Sequence, residues 1–447
     1  MMISRRAAIG RRWVVAGMVL LTGCGLLDAE TPDIIDPGNL DSPEGAAARR
    51  FGAIRDFAFV RDGDGSQNDT EGLILLSGSM SDEFNYSGFI PTDVEFDQRV
   101  VFPNNSSLTD AYFRLHVARS GAEAAAAGLQ RWSPDPDNDA GIPEMLALAG
   151  FTYVLFAENW CSGVPFSSVD DNGEQVFGPS RTTDEMLGLA LARFDAALAH
   201  GGVVTDATIG FLAAVGKGRA LVDRGLYAEA AVAVQAVPTE FSYVTEHDPS
   251  PLSLANAVSV YGVSGESGGS ISVADAEGGT GLPYRAAADP RVPFVDTGHL
   301  GLDSQTPQFD VLKYPDLASS IVLADGVEAR LIEAEALLRA GDYPAMATKL
   351  NDLRATVSLP PLGIAGSEDE AVDQLFTERG FWLYATDHRL GDMRRLVRQY
   401  SRAVETVFPQ GPYLRGGVYG SLVAFPVPVN ENNNPQFDRS ACDPRAP

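Results

Sequence analysis

The chain has 447 residues, 45% of them hydrophobic and 21% charged, which is ordinary globular material with ample apolar content for a large core. It carries 33 Lys and Arg against 60 Asp and Glu, a formal charge of −27. That balance excludes the basic footprint of a nucleic-acid binder and opposes polyanions and anionic lipid surfaces.

The N-terminus reads as a processing segment. Arg5, Arg6, Arg11 and Arg12 precede or flank an apolar run over 13–23, of signal-peptide length and too short to span a bilayer. The run ends Leu21-Thr22-Gly23-Cys24, similar to a bacterial lipobox in which the cysteine is acylated and becomes the first mature residue. Residues 1–23 are therefore expected to be a lipoprotein signal peptide, Cys24 the lipidation site, and 24–45, acidic and rich in Pro and Gly, a tether. Gly25 rather than Asp follows the cysteine, so the expected location is the outer membrane, with the lipid as the sole attachment. Of the remaining cysteines, Cys161 and Cys442 form an even pair in an oxidising compartment; a disulfide between them is expected, two unpaired thiols being the alternative.

Beyond the tether the periodicity is helical. Residues 109–129 are an alanine-rich predicted helix, and 143–160 are a second, with Met145, Leu148, Thr152, Leu155 and Phe156 on a 3.6-residue period. A third, over 183–200, opens on Thr182-Thr183-Asp184-Glu185, a capping signature, and stops at Gly201-Gly202. Then Ala220-Leu-Val-Asp-Arg-Gly225-Leu-Tyr227-Ala-Glu-Ala230 recurs as Ala336-Leu-Leu-Arg-Ala-Gly341-Asp-Tyr343-Pro-Ala-Met346. This is the turn of a tetratricopeptide-type hairpin, in which the glycine ends one helix and the tyrosine packs between two. Further helices are predicted over 322–340, 344–357 and 367–402, before an irregular tail. Long interruptions at 62–99, 161–181 and 239–319 make the repeat discontinuous, and loops of that size usually carry function. The chain divides into an N-terminal helical region (46–245), a loop-rich insert (246–320), and a C-terminal helical region with its tail (321–447).

Motifs with chemical meaning are few. Gly265-Glu266-Ser267-Gly268-Gly269 fits a nucleophile-elbow pattern, but it sits in a Gly/Ser run without α/β alternation. Asp62-Gly63-Asp64-Gly65-Ser66 opens like a calcium loop, yet Gln67 stands where glycine is needed and Leu73 where the closing glutamate belongs. The five histidines are scattered. No catalytic residue, metal site or cofactor is expected. The stretch Ser81-Asp82-Glu83-Phe84-Asn85-Tyr86-Ser87-Gly88-Phe89 puts rings beside Asp and Asn in a polar setting, as sugar sites do. Asp82, Phe84, Asn85 and Tyr86 are the expected ligand-binding residues; the alternative is that these rings plug the loop onto the helices.

Several segments together resemble the SusD/RagB family of surface nutrient-binding lipoproteins. They include Ile35-Asp36-Pro37-Gly38-Asn39-Leu40, the aromatic helix ending Glu158-Asn159-Trp160 with Gly163-Val164-Pro165, and Glu333-Ala334-Glu335-Ala336-Leu337-Leu338 with Gly341-Asp342. Glu378-Arg379, His388-Arg389, Asp392-Met393-Arg394-Arg395 and the closing Phe425-Pro426-Val427-Pro428 continue the order. Thr386-Asp387 and Trp382-Leu383 depart from the family pattern. The resemblance implies a mostly α, SusD-like fold: tetratricopeptide-like helical hairpins in a right-handed scaffold with long irregular loop insertions. It implies an outer-membrane protein that binds oligosaccharide or peptide and serves as lid to a SusC-like TonB-dependent transporter, without catalysis. It also implies that Glu378, Arg379, Arg389 and Asp392 form buried structural pairs between C-terminal helices. The rival expectations are an anchored glycoside hydrolase and a peptide-binding helical-repeat scaffold.

Overall fold

The computed structural model describes residues 41–66, 71–169, 174–264 and 269–447. Cys24, the signal peptide and the tether up to residue 40 lie outside the described residues, as do Gln67 and 265–268 of the Gly/Ser run. Helix α1 (Pro43–Asp62) leads into an insert with α2 (Leu73–Met80), strand β1 (Phe84–Tyr86) and α3 (Pro91–Asp97), and the chain returns as α4 (Ser106–Trp132) along α1. Then α5 (Gly141–Asn159) is followed by β2 (Val164–Pro165), β3 (Ser168–Val169), β4 (Gln175–Val176) and β5 (Ser180–Arg181), before α6 (Thr183–Ala199) packs back on α5. After a single turn, α7 (Gly202–Thr205), the third hairpin is α8 (Ala207–Asp223) with α9 (Tyr227–Val234). The long insert carries β6 (Ser242–Thr245), α10 (Ala257–Gly262), β7 (Ile271–Val273), β8 (Phe294–Leu300), β9 (Pro307–Val311) and β10 (Ile321–Asp325). Helices α11 (Gly326–Arg339) and α12 (Tyr343–Thr356) make the fourth hairpin, and α13 (Glu368–Trp382), α14 (Arg389–Tyr400) and α15 (Val404–Val407) follow.

The hairpins stack in sequence through α4 on α5, α6 on α8 and α9 on α11, so the mostly α, repeat-built fold holds. Strands contribute only two-stranded antiparallel pairs among the described residues: β1–β7, β2–β5, β3–β4, β6–β10 and β8–β9. The sequence repeat is a geometric one. Gly225 and Gly341 both sit at φ 74°. In each turn the glycine N–H bonds three residues back and the next N–H five back, at 2.9–3.0 Å (Val222 and Leu221; Leu338 and Leu337). That is a Schellman close, which needs a left-handed residue that glycine adopts without strain. The predicted start of α6 is a full capping box between Thr182 and Glu185. Helix α5 is apolar and long enough to cross a membrane, but 94% of its apolar window is buried between α4, α6 and α8; it is the core helix of the stack.

Three predicted elements differ. The stretch over 322–340 begins as β10, and Asp325 caps α11 by accepting the Glu328 N–H at 2.7 Å. The interruption over 239–319 carries β6, α10, β7, β8 and β9 rather than open loop. The single helix over 367–402 is broken between α13 and α14, with Ala385 at φ 54° and Asp387 at φ 61°. Long-range partners hold that break. Lys313 donates to the Tyr384 carbonyl, Tyr314 to that of Ala385 at 3.1 Å, Arg61 to that of Thr386 at 3.2 Å and Arg219 to that of Asp387 at 2.7 Å. The Ala385 N–H reaches Glu83 Oε1 at 2.7 Å. Burial pushes the Glu83 carboxyl up to about 8 and the Lys313 ammonium down to about 8.

The C-terminal charges are buried, but two of the four have other partners than expected. Arg379 Nε does meet Asp392 Oδ2 at 2.7 Å, joining α13 to α14. Glu378, adjacent in sequence, points away and takes Arg291 at 2.6 Å and Arg354, because successive helical residues lie about 100° apart. Arg389 does not pair with Asp392; it makes a two-pronged bond to Asp82 at 2.5 and 2.7 Å. Cys161 and Cys442 are joined, Cα to Cα 5.2 Å, across 281 residues.

Candidate functional site

The site is built on β1. Strand geometry alternates side chains, so Phe84 and Tyr86 turn into the apolar cluster beneath the inserts while Asn85, opposite Ser272 of β7, turns the other way. Phe84 packs edge-on against Tyr384, ring centroids 5.6 Å apart. Asp82 is fully buried, taken up by Arg389 and by the Leu282 N–H at 2.8 Å. Three of the four expected ligand residues, Asp82, Phe84 and Tyr86, are therefore internal: the segment is a core strand, and its rings plug the insert onto the helices. Phe89, just beyond it, is 71% exposed. Asn85 faces the cavity walled by the inserts and the 412–419 loop.

That cavity, about 280 Å³, lies between the 275–285 turn, β9 and the 412–419 loop. Its floor is the Glu277 carboxyl, which accepts from the Asn85 carboxamide and from the Tyr419 hydroxyl. Burial pushes Glu277 up to about 7. Asp97 lies close enough to Glu277 for the two carboxyls to repel; it accepts the Tyr413 hydroxyl at 2.5 Å and is itself raised by burial. The two tyrosines clasp the 412–419 loop to the body, and Arg415 adds a bond to the Gly88 carbonyl at 2.7 Å. Gly411, Gly416 and Gly417 sit at φ 76°, 97° and 80°, and these left-handed positions fold the loop back over the cavity.

One wall is the Arg285 guanidinium, centred 3.6 Å over the Phe309 ring. Asp275 Oδ1 positions it by accepting the backbone N–H groups of Arg285 and Ala286 at 3.0 and 2.9 Å. Its Nε is buried and has no hydrogen-bond partner among the described residues. Thr306, Pro307 and the half-exposed Leu414 complete the rim. The arrangement presents a planar guanidinium, a carboxamide, a carboxyl and an apolar edge, which suits hydroxyl-rich ligands. Among the described residues no group of three His, Cys, Asp or Glu is placed to hold a metal ion. Sequence reasoning reached Asn85 but missed Glu277, Arg285, Phe309 and Tyr419. Those residues stand in three segments that only the fold brings together.

These features define a helical-repeat scaffold whose inserts build a polar, loop-walled cavity. The fold is that of the SusD superfamily structures. A SusD superfamily protein from Parabacteroides distasonis superposes with a TM-score of 0.66 at 13% identity, over 88% of this chain and 98% of that one. One from Bacteroides vulgatus gives 0.63 at 14%, over 90% and 98%. A laminarin-binding SusD-like protein gives 0.65 at 14%, over 89% and 98%. No family model and no curated protein matches the sequence.

Proposed function

We propose that the chain is a SusD-like, lipid-anchored glycan-binding protein of the outer membrane. It holds oligosaccharide in the cavity around Glu277 and hands it, as a lid, to a SusC-like TonB-dependent transporter, with no covalent chemistry. The observation that carries the binding role is the cluster of Asn85, Glu277, Tyr419 and Arg285 around one cavity. The likeness in fold to a laminarin-binding protein supports the ligand class, and the lipobox-like Leu21-Thr22-Gly23-Cys24 supports the anchor. Hydroxyl pairs on a sugar need donors and acceptors side by side, which guanidinium, carboxamide and carboxyl supply.

Two experiments test it. In a titration against neutral oligosaccharides, Arg285→Ala should weaken binding by roughly tenfold, the scale of one lost charged hydrogen bond; unchanged affinity removes the cavity from the assignment. In gentle detergent extraction of native outer membranes, capture of the protein should bring down a stoichiometric barrel transporter. Recovery of the protein alone, with cross-linking controls working, would end the uptake reading.

A further inference from the structure

A second concavity uses none of the first one's residues. It is a groove of about 890 Å³ over the outer face of α4, walled by the β3–β4 hairpin and by the tail at 430–434. Its walls are fixed before any ligand arrives. Asn434 donates to the Gly178 carbonyl at 2.9 Å, Gln436 to that of Phe177 at 2.7 Å, and the Cys161–Cys442 disulfide ties the tail to the segment that leads into the hairpin. Such preorganisation lowers the ordering cost of binding.

The lining sets apolar side chains beside carboxamides. Phe113 and Val117, one turn apart on α4, are 42% and 53% exposed, and Val169 faces them from the hairpin. Of the charged groups within reach, Glu123 is shared by Arg119 at 2.9 Å and Arg193 at 2.8 Å. Glu431 is raised by burial. Three exposed carboxamides, Gln175, Asn430 and Asn433, line the groove, and among the described residues none has a side-chain hydrogen bond. A carboxamide offers a donor and an acceptor side by side, matching adjacent hydroxyls, and a ring edge beside it matches a sugar's C–H face.

We propose that this groove is a second glycan site, taking a neutral oligosaccharide across α4 between Phe113 and the carboxamides of Gln175 and Asn430. The assignment of ligand class rests on the glycan-binding reading above; the position and its residues do not. Its volume is about three times that of the loop cavity, so it holds a longer stretch of chain, and two sites on one molecule raise avidity for a polymer that reaches both.

The test is calorimetric titration of the full-length lipoprotein in detergent with neutral hexasaccharides of α-1,4-glucan, β-1,3-glucan and β-1,4-mannan. With a binding member, two sites per chain are expected. Phe113→Ala combined with Asn430→Ala should weaken one site by roughly tenfold and leave the other, while Arg285→Ala does the reverse. Both substituted side chains are exposed, so melting temperature should not move. A single site, lost in Arg285→Ala and untouched by the double variant, overturns the groove and leaves the loop cavity standing. A single site lost only in the double variant supports the groove and overturns the loop cavity. Binding of an uncharged extended decapeptide, lost in the double variant where no glycan binds, overturns the glycan assignment. No heat with any probe overturns both sites.

Discussion

At the scale of single residues the molecule is a set of buried charges whose partners come from distant segments. Glu378 joins α13 to Arg291 of the long insert and to Arg354 of α12. Removing it leaves Arg354 without its carboxylate and Arg291 with Asp289 alone, and breaking a buried pair costs about 3–5 kcal/mol. Glu378→Ala should lose about that much in urea unfolding, and an unmoved midpoint would reduce the pair to a bystander. Glu83 supplies a pH dependence. Burial raises its carboxyl from 4.5 to about 8, so the folded chain keeps a proton that the unfolded chain releases between those values. Its contribution is fully present below pH 4.5 and is lost as pH rises to about 8. Glu83→Gln keeps a carbonyl for the Ala385 N–H and should flatten that slope, leaving the variant more stable than the parent at pH 8. Urea midpoints at pH 5 and pH 8 decide it; parallel shifts would place the slope elsewhere. The identities of these residues were legible in sequence and their partners only in part. Arg379 and Asp392 lie 13 apart on neighbouring helices, whereas Arg389 and Asp82 are 307 apart, and nothing local marks the second pair.

At the scale of elements, legibility follows local chemistry. The repeat turns were readable because one residue type is needed at one place: Gly341 at φ 74° has nothing within 4 Å of where a Cβ would stand, so its role is conformational rather than steric. Gly341→Ala should therefore cost about 1 kcal/mol of strain in the left-handed region, and Gly341→Asn should cost less, since Asn tolerates that region. Equal stability of all three in thermal unfolding would mean the turn relaxes. The break between α13 and α14 had no such mark. Leu383-Tyr384-Ala385-Thr386-Asp387-His388 contains neither Gly nor Pro, and its turn is imposed by Glu83, Arg61, Arg219, Lys313 and Tyr314 from four other segments. Strand β1 was misread for a related reason. Its alternation is only three residues long, and its polar neighbours Asp82 and Glu83 are buried by partners that lie far along the chain.

At the scale of the whole molecule, the helical hairpins are the frame, and the inserts and the tail wall the two concavities. The loop cavity draws on residues from 85 to 419 and the α4 groove on residues from 113 to 434, so both depend on the last thirty-odd residues lying where they do. Backbone pairing already docks that tail. Phe425 and Asn159 share a hydrogen bond at 2.7 Å, Cys161 and Phe425 another at 2.9 Å, and Phe425 is fully buried. The disulfide is thus not what places the tail in the folded state; its effect lies in the unfolded chain, where it closes a loop spanning 281 residues. On loop-closure entropy such a link stabilises by about 5 kcal/mol. Replacing both cysteines, Cys161→Ser with Cys442→Ser, should therefore lower unfolding free energy by about 3–5 kcal/mol while far-ultraviolet circular dichroism and ligand stoichiometry at room temperature stay as they were. If instead the double variant keeps its stability but loses binding at the α4 groove, the bond acts in the folded state, as a brace on the groove wall. The two outcomes separate a thermodynamic staple from a local one, because only the second makes hydrogen exchange at 430–442 faster than in the disulfide-bonded parent.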